Sequence, residues 1–290
     1  RLDLERASLI WEGVGRTGVE RVQPLYDHSA ERVRFYAARA GLRLEDVTAV
    51  PVLGRLAAGR RGDFRLAAVR ELGSSTYPQA ANHLVPLLDD ADLEVRVGAY
   101  EGLRRLRHGA VRSRVFYNDI DPLQLNFVFD QVRSAGEPLI YVRRPREPRI
   151  ALFGEDVPLR KPLLYAHPED RVLINAEADG PVTVSYRPRY AMRSEDPRVI
   201  PATVADLVAI LADHPRTLDD AKRPGAGLTC AEVVEVLVAL CRDGTIPAAI
   251  EIERASMLDV LGAPTAPRVR PEGDDELFEP RGESDPKEQR

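Results

Sequence analysis

The stretch "PLYDHSAERVR" at 24–34 returns as "PLLDDADLEVR" at 86–96, two periods of 31 residues later, with a middle copy between them. Leu25, Leu56 and Leu87 fall in register, as do Val33, Phe64 and Val95, then Arg34, Arg65 and Arg96, then Ala37, Ala68 and Ala99, then Gly41, Leu72 and Leu103. A repeat of this length with apolar residues at helical spacing specifies a helix-pair solenoid, because each pair buries its apolar face only against its neighbours. Each copy reads as a helix ending near the Asp27 or Asp89 position, a short turn, and a second helix carrying the Val-Arg and Ala positions. The small alanines let neighbouring helices approach closely.

Asp27 and Asp89 stand seven residues before Arg34 and Arg96, so a turn between helices brings carboxylate and guanidinium within reach of each other. The pattern resembles HEAT-type repeats, and the resemblance implies a structural ladder of Asp27, Arg34, Arg65, Asp89 and Arg96 inside the stack. Residues 1–22 fall outside the period and read as the eroded end of a further repeat, with Trp11 covering the terminal face. The chain begins at Arg1 rather than Met, which reads as a fragment or a processed form.

Past 112 the pattern changes. Runs such as "LNFVFDQV", "PLIYVRR", "RIALFG", "RVLINAEA" and "VTVSYR", bounded by Pro, Gly or Asp, predict short strands of a small antiparallel β domain at 113–200. Prolines at the ends of the runs agree, since a missing amide hydrogen costs a sheet least there. Helical periodicity resumes at 201–256. "TVAD" at 203–206 and "TCAE" at 229–232 fit the capping box, Gly244 closes the second helix, and "AAIEIE" at 248–253 alternates as a strand does. Residues 257–290, rich in charge and proline, predict a disordered tail. The fold class is therefore α+β multidomain: a solenoid of about three helix pairs at 1–112, the β domain, a helix-helix-strand module and the tail.

Nothing in this chain spells out chemistry. The five histidines, His28, His83, His108, His167 and His214, show no ligand spacing, and neither Cys230 nor Cys241 lies near one, so no metal or other cofactor is expected. There is no nucleophile elbow, P-loop or dinucleotide fingerprint, and no catalytic residue is assigned. Asp119 and Asp121 read as a turn or, less simply, a divalent-ion pair. "RRPREPR" at 143–149 reads as a solvated loop or a contact for an acidic partner or glycan. A net charge of −5 argues against a nucleic-acid partner, and no apolar run is long enough to cross a bilayer.

The segment 203–252, "TVADLVAIL" followed by "TCAEVVEVLVALCRDGTIPAAIEIE", resembles the C-terminal end of the flagellar P-ring protein. Leu237, Leu240, Gly244, Ile246, Ala248 and Ile250 carry the likeness. It implies a non-catalytic ring subunit of the periplasm, homo-oligomeric and in contact with other basal-body proteins, with Ala248, Ile250 and Ile252 as a strand of assembly. Two other readings are a cytoplasmic adaptor that binds a protein partner on the repeat surface, and an enzyme, for example a carbohydrate-active one, built on the β domain.

Overall fold

The computed structural model describes residues 4–59, 62–118, 124–143, 147–187, 197–213 and 225–253. The expected tail at 257–290, the Asp119 and Asp121 turn, His214 and most of the 214–227 loop lie outside these residues.

The first third is helical throughout: α1 (Leu4–Val14), α2 (Val19–Val22), α3 (Glu31–Arg43), α4 (Ala49–Ala58), α5 (Arg65–Ser74), α6 (Ala81–Leu84) and α7 (Leu93–Arg105), with 3-10 turns at Gln23–Leu25 and Val85–Asp89. The repeat register explains the packing. Ala37, Ala68 and Ala99 have no exposed surface; α3 packs on α4, α4 on α5, α5 on α7, and α6 on α4, α5 and α7. Closest of all are α5 and α7. A Cβ built on Gly102 would lie 2.6 Å from Gly73 Cα and 2.8 Å from Leu84 Cδ1, so only glycine lets these two helices touch. In the second and third copies the arginine caps the helical turn before its own helix. Arg65 Nε donates to Ala57 O (3.1 Å) and Arg96 Nε to Leu88 O (2.9 Å), each eight residues back, which satisfies a carbonyl that a helix end leaves open. Helix α1 lies against α3, with Trp11 half-buried on the first core, while Leu9, Ile10 and Val14 remain exposed.

The strands form two sheets. One holds β1 (Val111–Tyr117), β2 (Leu125–Val132), β3 (Leu139–Arg143), β4 (Arg149–Phe153) and β9 (Ala249–Ile252) in the order β1-β2-β4-β3-β9. The other holds β5 (Leu163–Ala166), β6 (Val172–Ala176), β7 (Val182–Tyr186) and β8 (Arg198–Ile200) as an antiparallel meander. The antiparallel expectation thus fails for the first sheet, which is mixed. The β3–β4 hairpin docks by its second strand, so β4 runs parallel to β2 and β3 runs parallel to β9.

Two cores share that mixed sheet. Val132, Leu139, Tyr141, Ala151 and Phe153 face the helices and complete their core. Phe127, Phe129, Ile140, Val142, Ile150 and Leu152 point the other way, into a second core built with the inner face of the meander and with helices α8 (Val204–Ala212) and α9 (Cys230–Arg242). The divisions expected near 113 and 201 are accordingly crossed by continuous packing, and β9 belongs to the same sheet as β3.

The capping signals locate the late helices. Thr203 accepts from Asp206 N, and Thr229 with Glu232 forms a complete capping box. Burial raises the Glu232 carboxyl, but the Thr229 amide and hydroxyl and the Arg171 guanidinium outweigh it and hold the group below the usual carboxylate value. A carboxyl depressed on folding stabilises the native state above its unfolded pKa and loses that contribution as pH falls through the folded one. Gly244, at φ +76°, closes α9 as its position suggests.

Substituting Gly102→Ala should destabilise the fold by about 1–3 kcal/mol, the usual cost of overpacking a tight contact. Gly109→Ala, where an added Cβ meets nothing within 4 Å, should be near neutral in the same urea titration. Glu232→Gln should flatten the acid limb of the stability-pH curve below about pH 4.5, since the wild type alone has a depressed carboxyl there to protonate.

Candidate binding groove

Helix α7 has two faces with different tasks. Val95, Ala99 and Leu103 are buried in the stack, whereas Leu93, Glu94, Val97, Gly98, Glu101 and Arg105 line a groove, Leu93 and Val97 packing partly on the core as well. Capped by Asp92, whose carboxylate accepts from Glu94 N, the helix holds that second face along the groove, which is open and of about 890 Å³. Tyr141 and Arg143 of β3 supply the floor, Glu251, Ile252 and Glu253 at β9 one rim, and Arg70 of α5 the far wall.

The groove is dense in charge. Arg143 stands between Glu101 (3.4 Å) and Glu253 (3.6 Å), and Glu101 also accepts from Arg104 at 2.8 Å. Arg70 faces Glu94 at 3.9 Å across exposed surface, a pair of small energetic weight. Arg105 donates to Gly73 O. Burial, followed by the nearby Glu253 and Glu101 charges, pushes the Tyr141 phenol up to about 12, so it stays a neutral hydrogen-bonding group. What such a surface offers is apolar area on Leu93, Val97 and Gly98 beside carboxylates and guanidinium groups, the mixture by which proteins recognise protein segments.

A buried polar cluster sets the groove's width. Asp130 of β2 has no exposed surface and accepts from Tyr100 Oη of α7 (2.5 Å), Ser113 Oγ of β1 (2.5 Å) and Arg149 Nη1 of β4 (2.9 Å). Burial and the adjacent Asp130 charge hold the Tyr100 phenol far above its usual value. Helix and sheet are thereby tied at a fixed separation.

The residues expected to form the repeat ladder are distributed differently. Asp27, almost fully exposed, lies 3.6 Å from Arg55 rather than beside Arg34. Arg34 Nη1 donates to His28 O (2.7 Å) and Ser29 O (2.8 Å). Arg65 reaches forward to Asp90, joining successive copies. Asp89 and Arg96 turn to the sheet: Asp89 Oδ1 accepts from Ser134 Oγ, Ala135 N and Gly136 N, and Arg96 Nη2 donates to Glu137 O (2.9 Å). Of the expected assembly strand, Ile250 and Ile252 lie in β9 and Ala248 just before it, all packed on the second core. The histidines serve turns, with Nδ1 of His28, His108 and His167 each accepting from the amide two residues on. Among the described residues no group of three or more His, Cys, Asp or Glu is placed to hold a metal ion.

Comparison with known proteins assigns the helical part. A family model described as HEAT repeats matches residues 19–104. Among solved structures, the complex of CpcE and CpcF of phycocyanin lyase from Nostoc sp. PCC7120 is similar at 24% identity, covering 35% of this chain and 67% of that one, with a TM-score of 0.29. No curated protein matches. The likeness of 203–252 to the flagellar P-ring protein is overturned: the matches lie with HEAT repeats, and nothing supports a P-ring relative or ring partners. Its physical basis was generic. Leu237, Leu240 and Ile246 are core positions and Gly244 a helix terminator, which a capped helix followed by an edge strand shares with many unrelated proteins.

Tyr100→Phe should cost about 1.5–3 kcal/mol by removing a hydrogen bond to a buried charge. Asp130→Ala should cost about 3–5 kcal/mol, because it leaves Arg149 without its buried partner. Chemical denaturation of the full chain checks both, and equal, small effects would contradict the cluster's role.

Proposed function

We propose that the chain is a protein-protein interaction module, a HEAT-repeat scaffold that holds a segment of another protein in the groove between α7 and the β3–β9 edge and performs no chemistry of its own. On this reading α3 to α7 carry the repeat pairs, and the sheet is a rigid second wall. The observation that carries the proposal is the groove-lining face of α7: Leu93, Val97 and Gly98 are only half-buried there and lie beside charges, whereas Val95, Ala99 and Leu103 are buried in the stack. A repeat helix left half-open on one side offers that side to a partner. The ionisable groups fit binding better than proton transfer, since Arg143, Glu101 and Glu253 are already engaged in ion pairs with one another.

A photo-cross-linking amino acid placed at Val97 in the full chain should capture a defined protein from the cells that make it. The same probe at Leu173, exposed on the outer face of the meander, should not capture that species. Identical products from both positions, or none from position 97, would dismiss the proposal.

A further inference from the structure

We infer that the groove takes its partner as an added β-strand, an extended segment of another protein alternating basic and apolar residues and hydrogen-bonded along the outer edge of β9. This rests on reading the chain as an interaction module and adds the partner's chemistry.

The backbone supplies the first half of the argument. Between β3 and β9 the amides of Ala249 and Glu253 donate to Pro138 O (3.2 Å) and Val142 O (2.8 Å). Successive residues of a strand direct their backbone groups to opposite sides, so the N–H and C=O of Ile250 and Ile252 face away from β3. β9 is the last strand of the sheet, and no strand among the described residues pairs with that side. An edge of this kind is a template for a further strand.

Side chains choose the occupant. Ile250 and Ile252 pack on the second core, while Glu251 and Glu253 border the groove opposite Glu94 and Glu101 of α7. Arg70, Arg105 and Arg143 also line the groove, Arg70 facing Glu94, and Glu101 is paired with Arg104 as well as Arg143. Arg143 is engaged between two of the carboxylates, and Glu251 has no ion pair among the described residues. A strand laid on β9 therefore meets acidic neighbours on its groove side and isoleucines on the other, the complement of alternating Lys or Arg with β-branched residues. A second copy of this chain fits worse. The antiparallel register that sets Ile250 opposite Ile252 also sets Glu251 opposite Glu251, and like charges directly across a ladder repel.

The test uses the full chain and a short fluorescein-labelled peptide alternating lysine and valine, read by fluorescence anisotropy. Binding is expected, with loss for the glutamate-valine counterpart and for a lysine-valine peptide N-methylated at alternate residues so that its edge-facing amides are gone. The exposed substitution Glu251→Arg should weaken binding about fivefold to tenfold without altering thermal unfolding. No binding of the lysine-valine peptide, or equal binding of its N-methylated form, overturns the inference, and so does a chain that sediments as a dimer dissociated by Glu251→Arg. If the peptide fails while the probe at position 97 still captures a protein, strand addition falls and the interaction module stands. If both fail, both fall.

Discussion

A single buried carboxylate holds the two halves of this molecule in register. Asp130 has lost its water entirely, and an ion in that position persists only where donors replace the hydration it gave up. Tyr100, Ser113 and Arg149 do so from α7, β1 and β4 in turn. Apolar surfaces slide past one another at modest cost, as repacked cores demonstrate. A charge with three fixed partners does not slide, so helix, edge strand and central strand share one geometry, and the groove beside them inherits it.

The end of the repeat array shows how a periodic residue acquires a new task when its neighbour changes. Arg65 and Arg96 each cap the carbonyl eight residues back, an arrangement internal to the copy. Beyond that they diverge. Arg65 finds the next copy at Asp90, whereas Arg96 has no next copy and instead grips the turn before β3, its guanidinium 5.0 Å from the Phe153 ring centroid. Asp89 receives three donors from the same turn. The solenoid therefore ends by docking on a sheet, not by a polar cap, and the apolar face that would otherwise meet water is covered by Tyr141, Ala151 and Phe153.

Helices were legible because the Thr-x-x-acid caps and Gly244 act within a few residues of themselves and the 31-residue register repeats one helical pattern along the chain. Strands were visible as β-prone runs, but their pairing was not. Ile140 to Val142 and Ile150 to Leu152 are covered on both faces, so the alternation that would assign a face, and with it a partner, is absent. The groove was out of reach for another reason, since Glu101, Arg143 and Glu253 come together only once a hairpin docks by its second strand. One clue was present. Asp130 interrupts "LNFVFDQV", and Arg149 opens "RIALFG"; opposite charges inside two apolar runs mark strands that meet face to partner in a core. The P-ring likeness failed on the same ground that made the helices readable, because caps and core positions describe local structure and not ancestry.

The placement of β9 carries a temporal consequence. Leu139 stands in register across the sheet with Ala249, in a strand that leaves the ribosome long after its neighbour. Every helix of the repeat array and the whole β1-β2-β4-β3 ladder emerge before it, so a nascent or prematurely ended chain presents the stack with its outermost rung still missing. Long-range pairing of this sort closes last because its loop entropy is the largest. Whatever docks beside that rung meets only molecules in which the strand at 249–252 has been made and has paired, so the topology itself reports that the sheet is whole.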